Sequence, residues 1–73
     1  MRKRDEVLQP HSCLNKAGEN EMLFVLLGRD LASPVAIRAW IVERIRTGRN
    51  VPSDVQITDA LRTADIMEKE SKP

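Results

Sequence analysis

The sequence predicts an all-α fold: a short N-terminal helix, a buried apolar helix and two longer amphipathic helices, packed as a small bundle that copies of the chain complete by oligomerising. Three observations carry this expectation. Ile37, Trp40, Ile41 and Ile45, and again Ile57, Ala60, Leu61, Ala64 and Met67, recur at the three- and four-residue spacing of a helix face. Serines and an asparagine precede the candidate helices and glycines follow most of them, as starts and stops do. The one stretch that reads equally well as a strand has no partner elsewhere in the chain.

Taken in order, residues 1–11 read as a flexible tail. They are mostly charged, Val7 and Leu8 being the apolar pair, and Pro10 stops a helix from continuing into Ser12. The folded part is expected over residues 12–70 as one domain, since no linker divides so short a chain. Ser12 then caps a turn or two of helix that Gly18 ends, with Cys13, Leu14 and Ala17 turned inward. Residues 19–30 are ambiguous, because the apolar run 22–27 has no period. Asn20 as a cap, Met22 and the leucines as helix formers, and Gly28 as a stop favour a buried helix. A strand here would have to pair with a second protomer.

Residues 33–47 form the organising helix of this reading. Ser33 is its expected N-cap, Pro34 fits the first turn, where a missing N–H costs nothing, and Gly48 is the expected left-handed stop. Trp40 is placed in the core beside Ile37 and Ile41. Residues 46–52 are a loop marked by Gly48, Asn50 and Pro52. The last helix starts at Ser53 as N-cap with Gln56 three residues on, a capping box, and Asp54 suits the positive end of its dipole. Its alanines allow close approach to a neighbour, and residues 71–73 are expected to fray.

Composition bounds the function. A chain of 73 residues buries only about 60% of its unfolded surface, so small scaffolds add a disulfide, a metal or self-association. Cys13 is the lone cysteine and His11 the lone histidine, which excludes an internal disulfide and a tetrahedral zinc site. Self-association remains, and no metal or cofactor is expected. A net charge of +1 is too small for binding that rests on phosphate neutralisation, so nucleic acid is not an expected partner. The charge is unevenly spread, basic over 33–50 and acidic over 53–73, which suits two helices with complementary surfaces. No apolar run approaches the ~18 residues of a membrane span, and an unpaired cysteine fits a reducing cytoplasm.

No enzyme is expected. HExxH, CxxC, GxSxG and Walker patterns are missing, and His11 and Cys13 are too close along the chain to form a dyad on one helix. A pocket for a small anionic ligand is the sharper candidate. Lys16, Arg29 and Arg38 would hold phosphate through charge-assisted hydrogen bonds, and Phe24 or Trp40 would offer a stacking surface, in a pocket shared between protomers.

The string CLNKAGENEMLFVLLGRDLASPVAIRAWIVERI resembles a group of small phage and prophage proteins. The shared positions are Cys13, Leu14, Lys16, Ala17, Glu21, Phe24, Val25, Leu26, Asp30, Pro34 and Trp40, and the segment from Ala60 to Glu70 looks like the group's closing helix. Many members carry an arginine after the FVL run and a glutamine before the aspartate, where this chain has Leu27 and Arg29. The resemblance implies a phage origin and action in the host cytoplasm. By analogy of class it implies an anti-defence sponge, sequestering a phosphorylated nucleotide-type immune signal without catalysis. The alternative expectation is a small interaction module that inhibits or adapts a host or phage protein.

Overall fold

Two helical pairs joined by a long irregular crossing make up the structure, a computed structural model that describes residues 2–71. Helix α1 spans Lys3–Leu8, α2 Cys13–Lys16, α3 Ser33–Arg46 and α4 Val55–Ser71, and no described residue lies in a strand. Helix α1 packs on α2 and α3 packs along α4. The all-α expectation holds.

The α3–α4 pair carries the core. Ile41 of α3 meets Ile57 and Ala64 of α4 as the buried apolar residues, and Ile37, Ile45, Ala60 and Met67 are half-buried around them. Full burial of an isoleucine side chain contributes about 1.5–3 kcal/mol, and a buried alanine lets two helix backbones come close. Trp40, expected in this core, sits at its edge with 40% of its surface exposed. The Arg44 guanidinium lies 5.4 Å from its ring centroid, where the negative face of the indole attracts a cation. Gly48 ends α3 at φ 74, the left-handed stop that the sequence predicts.

Both long helices start differently from expectation. Ala32, not Ser33, holds the N-cap position of α3. Ser33 is fully buried and its hydroxyl donates to the Leu27 carbonyl at 2.7 Å. Asp30 does the capping work from further back: its carboxylate accepts the Ala32 amide at 2.8 Å and its carbonyl accepts the Ser33 amide at 3.0 Å. At α4, the Asp54 carbonyl accepts the Ile57 and Thr58 amides, while Ser53 lies in the preceding turn. The Asp54 carboxylate turns back to the Val51 amide and the Asn50 side chain, and Asn50 also donates to Gln56. Asn50 thus ties the loop to the helix in place of a capping box.

Within the N-terminal region expected as a flexible tail, residues 3–8 form helix α1. The helix forms there because α2 satisfies its free carbonyls. Ser12, buried, donates to the Glu6 carbonyl, and the Asn15 amide group lies 2.8–3.0 Å from the Glu6, Val7 and Gln9 carbonyls. The Ser12 hydroxyl also accepts the Asn15 amide, so its predicted cap on α2 is made. Cys13 and Leu14, expected to turn inward, are exposed, because the inner side of a four-residue helix is taken up by Ser12 and its bonds to α1. At the other end α4 continues to Ser71, the first of the residues expected to fray. The remainder of that expectation, residues 72 and 73, lies outside the described residues, as does Met1 of the expected tail.

The largest correction concerns residues 19–30. The expected buried apolar helix is neither helix nor strand: residues 21–27 form no helix, strand, turn or bend. Met22 is 94% and Phe24 88% exposed, and Leu26 alone in the run is half-buried. An apolar run without a polar face gains nothing from a helical period, and six residues are too few to nucleate a helix unaided. Extended backbone covers about 3.3 Å per residue against 1.5 Å in a helix, so the run can cross from α2 to the start of α3. Ser33 pins its far end.

This architecture leaves an open molecule. Its radius of gyration is 12.9 Å, against about 11 Å for a compact domain of this length. Its accessible surface is 6208 Å², against about 4,600 Å² for a folded monomer of this mass.

Candidate functional site: an apolar groove and an uncovered crossing

A groove of about 770 Å³ lies between the α1–α2 pair and α4, with part of the crossing as its third wall. Val7 and Leu14 line it from the N-terminal pair, Val25, Leu26 and Leu27 from the crossing, and Ile66 and Met67 from α4. The chain comes close to Met67 at Gly28: a Cβ there would stand 3.6 Å from the Met67 side chain. One rim is bridged by Arg2, whose guanidinium meets both carboxylate oxygens of Glu70 at 2.7 and 3.1 Å. That fork holds the Glu70 carboxyl below its ordinary value, through the hydrogen bonds first and charge second. Exposed as it is, the pair orients the groove's walls more than it stabilises the fold.

The five residues expected to bind a phosphorylated ligand are placed separately. Arg38 reaches from α3 to α4, donating to Asp65 at 2.9 Å and Glu68 at 3.0 Å. Those partners, Glu68 foremost, hold its pKa above the ordinary value. The basic and acidic helices therefore do meet through complementary surfaces. Trp40 is engaged by Arg44 on the same helix. Phe24 projects from the crossing, exposed. Lys16 borders a shallow hollow beside Cys13, Ala17, Glu21 and Leu23. Arg29 lies in the turn after the crossing, exposed. None of the five lines the large groove.

Sequence reasoning missed the groove residues themselves. Arg2 and Val7 fall in the expected tail, Ile66 and Glu70 lie off the expected apolar face of the last helix, and Leu14 is expected to turn into a core rather than toward a groove. The Val7–Leu8 pair in an otherwise charged terminus was the available signal, since an apolar pair needs a surface to rest on. No group of three or more histidine, cysteine, aspartate or glutamate side chains among the described residues is placed to hold a metal ion. No described helix is long and apolar enough to cross a membrane. Comparisons with protein-family models, with curated proteins and with solved structures find no match.

Proposed function

We propose that this chain is an interaction module that acts by apolar contact with another protein chain, without catalysis. One observation carries the reading. Ile41, Ile57 and Ala64 are the buried apolar residues, while sixteen large apolar side chains are exposed, five of them consecutive but for Leu26 along the crossing. Scattered apolar side chains are ordinary on a soluble surface, but a contiguous run this exposed marks an interaction site. Of the side chains with nucleophilic or base chemistry, Cys13 and His11 are exposed, Cys13 on a shallow hollow rather than in an enclosed pocket.

A photo-crosslinking phenylalanine analogue at position 24 tests the reading in cells that produce the chain. Adducts with protein, whether another copy or a different chain, are expected, and Met22→Ser should reduce them without lowering the denaturation midpoint. No protein adduct at position 24 overturns the reading.

Sequestration of a nucleotide-type signal is the second reading. Lys16 and Arg29, which have no ion-pair partner among the described residues, favour it. Calorimetry against cyclic nucleotides and ADP-ribose decides it: heat that Lys16→Ala and Arg29→Ala abolish supports it, and silence across the panel removes it.

A further inference from the structure

We infer that the occupant of the crossing is a second copy of this chain, its residues 22–28 paired antiparallel with the same residues of its partner about a two-fold axis at Val25. The inference deepens the interaction reading and rests on it. Four observations support the pairing, and each concerns a different property of the segment.

The first is hydrogen bonding. Among the described residues, no N–H or C=O group of residues 22–26 takes part in a hydrogen bond. Five consecutive unpaired peptide groups outside any helix or turn leave the same template for another chain that an edge strand presents. Natural edges are blunted by charge, proline or a bulge, and this run of Met, Leu, Phe, Val and Leu has none of them.

The second is charge. Glu21 precedes the run and Arg29 follows it. Antiparallel pairing about Val25 sets Leu23 opposite Leu27 and Phe24 opposite Leu26, and brings Glu21 of each copy toward Arg29 of the other. A parallel arrangement in register would instead stack Glu21 on Glu21 and Arg29 on Arg29, which repel. The ends of the segment therefore select both direction and register.

The third is area. The chain exposes about 1,600 Å² more than a folded monomer of its mass does, from 6208 Å² against about 4,600 Å². Two copies hiding that excess would bury about 3,200 Å², inside the range of obligate homodimers.

The fourth is continuity with the groove. Val25, Leu26 and Leu27 form one of its walls. A strand docked alongside them lies at the groove's edge, so apolar side chains of the partner can cover Val7, Leu14 and Ile66 from there.

Cysteine trapping on a Cys13→Ser background tests the geometry. Residues opposite each other in an antiparallel pair have Cα atoms about 4.5–5.5 Å apart, within disulfide reach. Val25 faces its own copy on the axis, whereas Met22 faces Gly28 and lies about 20 Å from the other Met22 along the ladder. Under mild oxidation Val25→Cys should give a covalent dimer in high yield, and Met22→Cys should give at least tenfold less. Sedimentation of the unmodified chain should show twice 8.3 kDa, and Val25→Lys, which sets two ammonium groups on the axis, should sediment as a folded monomer with unchanged helical circular dichroism.

A chain that is monomeric up to millimolar concentration overturns self-pairing, and leaves the interaction reading to the crosslinking at Phe24. Equal trapping at both positions overturns the register and the strand pairing with it. A Val25→Lys variant that remains dimeric overturns the assignment of the interface to this segment.

Discussion

Small polar side chains decide more of this fold than their size suggests. Ser12 and Asn15 close the carbonyl end of α1, Ser33 anchors the crossing, and Asn50 fastens the loop to α4. Each satisfies backbone groups that a short helix or an irregular segment leaves without partners. Ser33 is the sharpest test, because it is fully buried. Ser33→Ala removes its 2.7 Å bond to the Leu27 carbonyl and should destabilise the chain by about 1 kcal/mol. In a domain of this length that lowers the thermal midpoint by roughly 4–8 °C, readable by circular dichroism.

Titration belongs to the same scale. Glu43 beside Arg46, Asp54 beside Asn50 and the Val51 amide, and Glu70 beside Arg2 all have pKa values below their ordinary ones, each mainly through those hydrogen bonds. A carboxylate depressed in the folded state binds its proton less readily there than in the unfolded chain. Its contribution is thus fully present above the ordinary carboxylate range, about pH 4, and is lost as the pH falls through the depressed folded values. The urea midpoint should be flat from pH 7 to 5 with respect to these groups and fall below pH 4. Asp54→Asn should shallow that fall.

At the scale of elements, the two long helices were legible and the rest was not. Ile37, Ile41 and Ile45, with Ile57, Ala64 and Met67, announce α3 and α4 because a periodic face must be buried against another. Gly48 was legible for the same kind of reason, since a residue at φ 74 is most easily glycine. Gly48→Ala should cost about 1–2 kcal/mol from backbone strain alone. Nothing lies within 4 Å of the added Cβ, so Gly48→Asn, which tolerates the left-handed region, should recover much of the loss in a denaturation curve. Helix α1 was hidden because its stability comes from Ser12 and Asn15, residues that look like turn formers in isolation. The crossing was hidden because an aperiodic apolar run says that it must be covered without saying by what. The use made of Arg38 was hidden for a related reason: Asp65 and Glu68 on the facing helix engage it, which residue type and spacing along one helix do not reveal.

The whole molecule is two helical pairs of unequal strength. Helices α3 and α4 share the buried apolar residues, whereas α1 and α2 have none, only Ser12 between them being buried, and they face α4 across the groove that the Arg2–Glu70 fork bridges. A unit with little buried apolar surface opens at low free energy without disturbing a better-packed neighbour. Hydrogen exchange of a single copy, in the Val25→Lys background, should therefore show the amides of α1 and α2 exchanging well before those of α3 and α4. Arg2→Ala should speed exchange in α1 further and leave Ile41 and Ala64 unchanged, because the fork restrains only the approach of the N-terminal pair. If instead α1 exchanged as slowly as α4, the chain would be opening as one unit, and the groove would be a core seam. In the unsubstituted chain every second amide of the crossing should be protected along with α3, since an antiparallel pair hydrogen-bonds alternate residues along its inner edge and leaves the outer edge open. The difference between the two backgrounds thus separates protection that comes from the fold from protection that comes from a second copy.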